Sequence, residues 1–197
     1  VLLDSDQQRV FRCLGVFAGG CTTEAAQAVL GEGITVLPVL GALHQASLLQ
    51  QQTVADETRF LMLETIREFA LEQLTARNEA EGAHHHAEYY ARFAMTAYVE
   101  LLRAEAPRWR ARVAAEQDNL RSAFRWAMEH EAYTTALRIA TGVWRFHNMA
   151  GLFREGLERL EAALVYREQV PGDVQSNALR AAGTLATGLN DFTRARQ

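Results

Sequence analysis

The chain has 197 residues, of which 49% are hydrophobic and 22% charged, and its formal net charge is −4. These proportions are ordinary for a soluble globular protein with one or two domains. No apolar run is long enough to span a membrane, no signal peptide opens the sequence, and two cysteines are too few for a disulfide scaffold. We therefore expect a cytoplasmic protein that makes no membrane contact.

The two ends of the chain suggest a segment of a larger protein. The first residue is Val1 rather than methionine, and the last, Gln197, falls within a predicted helix. The sequence contains no lysine, so all 20 positive charges are arginine, which a GC-rich genome would explain.

Apolar residues at helical spacing predict a first helix that begins at a capping box in Ser5–Gln8. Gly19 or Gly20 is expected to end this helix in the left-handed conformation. Thr22 is then expected to cap a second helix over Glu24–Leu30.

A third helix is predicted over about 36–46, with Pro38 in its first turn. Two short strands follow, over 47–54 and 58–62. Three helices followed by a β-hairpin are the order of a winged helix-turn-helix domain. A further helix is expected directly behind the wing, over 64–79.

The remainder of the sequence predicts helices only. They are expected over 82–103, 107–130, 133–148, 152–168 and 174–188, with another beginning at Asp191. Residues 178–195 fit a tetratricopeptide repeat, and its aromatic-x-x-small step recurs at irregular spacing in Tyr133–Ala136 and Phe153–Gly156. We predict a mainly α fold, with a winged helix-turn-helix and its small β-hairpin followed by a degenerate tetratricopeptide-like solenoid. The expected domains are 1–80 (winged helix), 81–117 (connecting helices) and 118–197 (repeats).

Four segments resemble one family of bacterial regulators, and they occur in the family's order. They are Val16–Gly20, Ala42–Leu48, Leu63–Ala70 and Ala115–Ala127. The family is that of the signal-transduction ATPases with numerous domains, of the LuxR-type and antibiotic-regulatory classes. The resemblance implies that ATP or ADP binds to an upstream nucleotide-binding domain of the parent protein. The winged helix would contact that domain, and the repeats would bind an effector or a protein partner.

In the wider class, a histidine of the winged helix often contacts the phosphates of ADP. Met62-Leu63-Glu64 occupies the corresponding place here. Leu63 cannot donate a hydrogen bond to phosphate, so the resemblance implies packing by shape rather than direct contact with the nucleotide.

Charge argues against DNA binding by the predicted winged helix. A recognition helix neutralises phosphates and reads bases with side chains such as Arg, Lys, Asn and Gln. No arginine or lysine lies between Arg12 and Arg59, a stretch that includes the whole third helix. We therefore expect no direct contact with nucleic acid.

The sequence also lacks the patterns of an active site or a metal site. No phosphate-binding loop or nucleophile motif is present, so we expect no enzyme activity and no cofactor in this chain. His84, His85 and His86 are adjacent, with Glu88 one turn beyond. Adjacent helical residues point about 100° apart, so the three imidazoles cannot all reach one ion.

Arginine and asparagine side chains are predicted to share the concave face of the repeats, where they could hold an anionic effector or an acidic peptide. They are Arg121, Arg125, Arg138, Arg145, Asn148, Asn177 and Arg180. We expect a regulatory and sensor segment that relays binding on the repeats to an upstream nucleotide-binding core. The alternatives are a stand-alone protein-interaction scaffold and a DNA-binding winged helix.

Overall fold

The computed structural model describes residues 3–31, 33–77, 79 and 81–189. It is mainly helical with one small antiparallel sheet, which confirms the predicted fold class. The described residues form two compact units: unit 1, within 1–89 and 115–122, and unit 2, within 90–114 and 123–197. The predicted domain boundaries at residues 80 and 117 stay a prediction. No helix in the described ranges is both long and apolar enough to cross a membrane.

Helix α1 spans Ser5–Leu14, and its capping box, Asp4 with Gln7, lies one residue earlier than predicted. Asp4 is the N-cap: its carboxylate accepts from the Gln7 amide at 2.8 Å, and the Gln7 side chain accepts from the Asp4 amide at 3.1 Å. The helix ends at Gly15, before the predicted glycines, with the right-handed conformation at the cap. The predicted C-cap at Gly19 or Gly20 is therefore wrong.

The next two helices agree with the sequence pattern. Helix α2 spans Thr23–Leu30, and the Thr22 hydroxyl accepts a hydrogen bond from the Ala25 amide, as predicted. Helix α3 spans Val36–Gln45. Their apolar faces join the core of unit 1 through fully buried side chains such as Val29 and Leu40.

The sheet contains β1 (Cys21–Thr22), β2 (Gln50–Val54) and β3 (Glu57–Leu61), in the order β1-β3-β2. The predicted hairpin is confirmed as β2 and β3, which pair in antiparallel fashion around a turn in which Ala55 and Asp56 have positive φ. Strand β1 was not predicted, because two residues carry no periodicity and only pairing with β3 makes them a strand.

Gly20 is required where β1 approaches β3. Its φ is +70°, and a Cβ atom there would lie 2.6 Å from the Phe60 carbonyl oxygen. Only glycine takes this conformation at such a distance without strain.

Helix α4 (Glu64–Ala76) follows the hairpin, and helix α5 (Glu81–Glu100) follows α4. One continuous helix was predicted over 107–130. The structure instead has α6 (Ala106–Ala115) and α7 (Gln117–Glu129), which are separated at Glu116.

The remaining helices belong to unit 2. Helix α8 spans Tyr133–Met149, α9 spans Phe153–Leu164, a 3-10 turn covers Arg167–Gln169, and α10 spans Gly172–Gly188. The three α-helices pack on one another around a core of fully buried leucine side chains: Leu137, Leu157, Leu160 and Leu185. The helix predicted from Asp191 lies outside the described residues, as does the end of the repeat pattern at residue 195.

Helices α5 and α8 cross at Gly142. A Cβ atom on Gly142 would lie 2.4 Å from the carbonyl carbon of Ala94, so the two backbones are in direct contact. Tyr98 lies one turn after Ala94 on α5, and Arg145 lies one turn after Gly142 on α8. The close crossing therefore brings these two side chains together.

Candidate functional site

The seven predicted surface residues occupy three kinds of position. Arg121 forms an exposed ion pair with Asp118 on the same helix. Arg125 and Arg138 are exposed on α7 and α8. The other four lie in unit 2, beside Tyr98 or in the adjoining cleft: Arg145, Asn148, Asn177 and Arg180.

Tyr98, near the C-terminal end of α5, is the centre of this group. The guanidinium carbon of Arg145 lies 3.9 Å from the Tyr98 ring centroid and 4.9 Å from that of Trp144. Arg145 Nη1 also donates a 3.0 Å hydrogen bond to the backbone carbonyl of Tyr98. Cation–π contacts and this hydrogen bond hold the guanidinium in one orientation, which reduces the entropy lost on binding a ligand.

Arg180 reaches the same tyrosine from α10. Its Nη2 donates to the Tyr98 hydroxyl and, at 3.2 Å, to Oδ1 of Asn177. Within the described ranges its Nε and Nη1 have no acceptor, and neither Arg145 nor Arg180 pairs with a carboxylate. Two guanidinium groups thus share one neutral residue, and no anion of the described chain neutralises them.

An open cleft of about 610 Å³ adjoins Arg180. It is lined by Arg180 together with Asn148, Phe153, Gly183, Thr184, Thr187 and Gly188. The hydroxyls of Thr184 and Thr187 donate to helix carbonyls, so their lone pairs remain able to accept hydrogen bonds. The cleft therefore combines a cationic edge, an aromatic ring and hydrogen-bonding groups.

Sequence reasoning missed Tyr98 and Phe153 as parts of this site. Both carry an aromatic ring at a helical position, a pattern that ordinarily indicates core packing. Trp144 packs against the core of unit 2, and its ring also lies 4.9 Å from the guanidinium carbon of Arg145. The spacing of residues along the sequence does not show which aromatic side chains will contact an arginine after the helices have packed.

Unit 1 contains a buried ion pair that the sequence did not predict. The Arg59 side chain on β3 is 3% exposed and pairs with Glu116, which is 7% exposed. Arg59 Nη2 also donates to the carbonyls of Gly19 and Gly20, at 3.0 and 3.1 Å. Burial of two charges is compensated here by several hydrogen bonds, which such a pair requires.

Asn119 completes this group, which we call the Arg59 cluster (Arg59, Glu116, Asn119 and the carbonyls of Gly19 and Gly20). Asn119 Nδ2 donates to Glu116 Oε2 at 2.7 Å and to the Gly20 carbonyl at 2.8 Å. The cluster joins two of the segments that carry the family resemblance, 16–20 and 115–127. The sequence offered one indication that Arg59 has a special role, because Arg59 is the first cationic side chain after Arg12.

A third resemblance segment, 63–70, forms the junction of the hairpin and α4. Arg67 Nη1 donates to the Gly15 carbonyl at 3.2 Å and also pairs with Glu64. Leu63 precedes the helix and is 52% exposed, so it contributes little to the core of unit 1. Its contact with an upstream nucleotide-binding domain stays a prediction.

The three adjacent histidines have different surroundings. His84 is exposed, His85 Nδ1 lies 3.0 Å from the Val29 carbonyl, and His86 is buried edge-on against Phe17. Among the described residues, no group of three or more His, Cys, Asp or Glu side chains could hold a metal ion.

We expect stability to fall on acidification because of His86. Burial lowers the pKa of His86 from 6.5 to about 4, although a hydrogen bond with Asn119 raises it slightly. The unfolded chain therefore binds a proton between these pH values that the folded chain excludes. The free energy of unfolding should be highest above pH 6.5 and fall by roughly 1.4 kcal/mol per pH unit towards pH 4.

Urea unfolding followed by circular dichroism between pH 4 and 7.5 measures this dependence. His86→Gln should flatten the profile, whereas His84→Gln on the exposed face should leave it unchanged. An equally steep profile in His86→Gln would assign the acid sensitivity to other groups.

The chain is similar to parts of much longer bacterial proteins. It is 33% identical over 200 residues to the Mycobacterium bovis protein named "Putative HTH-type transcriptional regulator Mb0914c" and, equally, to the corresponding Mycobacterium tuberculosis protein. The aligned region covers 95% of this chain but 22% of each relative. The chain thus spans about a fifth of the length of these relatives. No family model and no solved structure matches it.

Proposed function

We propose that the chain is the regulatory and sensor segment of an ATP-dependent bacterial transcriptional regulator. Similarity to proteins named as transcriptional regulators supports a regulatory role. The resemblance of segments 16–20, 42–48, 63–70 and 115–127 supports a signal-transduction ATPase of the LuxR-type or antibiotic-regulatory class. In this proposal ATP or ADP binds to an upstream domain of the same protein.

Unit 2 supplies the sensor in this proposal, as a tetratricopeptide-like repeat that binds an effector or a protein partner. The observation that carries it is the cleft beside Tyr98, where Arg145 and Arg180 have no carboxylate partner in the described chain. An arginine that is buried or ion-paired contributes mainly to stability. An arginine without an ion-pair partner at the edge of an open cleft is suited to binding an anionic ligand.

Unit 1 supplies the relay, through a winged helix that contacts the nucleotide-binding domain. Binding on the repeats would favour one packing of the winged helix on that domain over another, which shifts the population of active regulator. The buried hydrogen bonds of the Arg59 cluster join β3 to residues 19–20 and 116–119. In this proposal, unit 1 therefore moves as one rigid body.

The test uses the complete regulator in cells, with a reporter under its target promoter. Arg145→Gln combined with Arg180→Gln should abolish the response to inducing conditions, and Arg138→Gln on the exposed face of α8 should retain it. An unchanged response in the double variant would contradict a sensor role for this cleft. Small-angle scattering of the complete protein should also differ between ADP, ATP and inducer, since identical curves would exclude the relay.

A second candidate, DNA binding by unit 1, is favoured by the names of the relatives as HTH-type regulators. The composition of helix α3 argues against DNA binding, because its ten residues include neither arginine nor lysine. A gel-shift titration of this chain at increasing salt separates the two proposals. Phosphate contacts make affinity fall steeply with salt, so such a dependence would favour DNA binding.

A further inference from the structure

We infer that the cleft beside Arg180 binds a small anionic ligand, whose carboxylate or phosphate group is held by Arg180. This inference rests on the proposed sensor role of unit 2 and specifies the chemistry of its ligand. Its basis is the arrangement of two arginines, Arg145 and Arg180, both of which contact Tyr98.

The two guanidinium groups are oriented, and no carboxylate in the described part of the chain neutralises them. Arg145 is stacked on Tyr98 and Trp144 and hydrogen-bonded to a backbone carbonyl. Arg180 is held by the Tyr98 hydroxyl and by Asn177. All of these partners are neutral, so the attraction of both arginines for an anion is retained.

Two exposed arginines elsewhere in the protein, Arg121 and Arg103, show a contrasting arrangement. Arg121 pairs with Asp118, and Arg103 pairs with Glu100, in each case three residues apart on one helix or at its end. Such pairs partly neutralise each other's charge and need no ligand. Arg180 is also exposed, yet its hydrogen bonds lead to a phenol and an amide.

The geometry of Arg180 leaves donors available to the ligand. Its Nη2 contacts Tyr98 and Asn177, while Nε and Nη1 have no acceptor in the part of the chain described. Nε and Nη1 can each donate a charge-assisted hydrogen bond to a carboxylate or phosphate oxygen of the ligand.

The cleft has room for the body of such a ligand. It is wide and open to solvent, with a volume of about 610 Å³, and Phe153 supplies an apolar wall. Asn148, Thr184 and Thr187 can exchange hydrogen bonds with hydroxyl or amide groups of the ligand. Tyr98 is the positioning residue, since it contacts both arginines.

Calorimetric titration of the 197-residue chain tests this inference with three small probes: inorganic phosphate, succinate and the neutral analogue succinamide. A hexaglutamate peptide is the fourth probe. We expect phosphate or succinate to bind, with affinity that decreases at high salt, and succinamide not to bind. The stronger of the two anions identifies the headgroup as phosphate or carboxylate.

The variants locate the binding site. Arg180→Gln should weaken binding by about tenfold or more, because the charge-assisted hydrogen bonding of Arg180 to the anion is lost. Tyr98→Phe should weaken it less, since the ring that supports Arg145 remains while the hydroxyl that orients Arg180 is lost. Arg138→Gln should bind like the original chain. Unchanged tryptophan fluorescence and thermal unfolding verify that each variant is folded.

Three results would overturn the inference. They are equal binding by the original chain and Arg180→Gln, no binding of either anion at millimolar concentration, and binding of hexaglutamate alone, which would indicate peptide docking. The proposed function can survive this failure. If the double arginine variant of the complete regulator still loses its response, the cleft is a sensor for a ligand of different chemistry.

Discussion

Replacement of Glu116 by glutamine should destabilise unit 1 by about 3–5 kcal/mol, because Arg59 would remain buried without a counter-charge. The change preserves the shape of the side chain, so the loss reports charge rather than packing. Arginine side chains do not lose their proton in proteins, so Arg59 would stay charged. Its side chain is only 3% exposed, so water cannot replace the carboxylate.

Asp118→Asn is the matched control, two residues further along the same segment. Its ion pair with Arg121 is exposed, with 63% of the Asp118 side chain accessible, so its loss should cost about 1 kcal/mol or less. Urea unfolding followed by far-ultraviolet circular dichroism measures both variants. Hydrogen exchange in the peptide covering β3 (57–61) assigns the loss to unit 1. Equal stability of the two variants would mean that the Arg59 pair is not buried in solution.

Gly142→Val should destabilise unit 2 by roughly 3 kcal/mol, since the new side chain would meet the backbone of Ala94. The neighbouring atom is main chain at 2.4 Å, so no side-chain rotation relieves the collision. Separation of α5 from α8 would also move Tyr98 away from Arg145. We therefore expect loss of ligand binding together with the loss of stability.

Tryptophan fluorescence follows this change selectively, because Trp109, Trp126 and Trp144 all belong to unit 2. Gly172→Ala, at the start of α10 with no neighbour within 4 Å of the added carbon, should leave the transition nearly unchanged. If Gly142→Val unfolded like the original chain and kept its ligand, the close crossing of α5 and α8 would not exist in solution.

The elements that the sequence predicted well are those whose signals are local. Helices α2 and α3 and the hairpin of β2 and β3 follow from a Thr cap, apolar periodicity and turn residues within a few positions of one another. The family resemblance likewise located segments of the chain, although it did not indicate what joins them.

The predictions that were wrong concern helix ends at which residues distant in the sequence make contact. The interruption at Glu116 separates α6 from α7, in a stretch whose periodicity favours one long helix. Glu116 instead pairs with Arg59, 57 residues away in the chain. The end of α1 at Gly15, before the predicted Gly19 or Gly20, coincides with a hydrogen bond from Arg67 on α4.

The seven residues that were predicted to share the concave face of the repeats show the same difference between local and long-range information. The repeat spacing placed Arg145, Asn148, Asn177 and Arg180 on the predicted concave face of the repeats. Spacing could not separate them from Arg121, Arg125 and Arg138, which have the same local pattern. The difference is Tyr98, which reaches Arg145 and Arg180 only after α5, α8 and α10 have packed.

The sequence by itself therefore determined the mainly helical class, the hairpin, and the residue types that can bind an anion. Tertiary structure alone decided which arginines are neutralised and which are held ready for a ligand. The physical reason is that periodicity and capping act over about one helical turn, whereas charge compensation depends on which side chains meet after packing. Close backbone contact at Gly142 and a shared tyrosine create that difference.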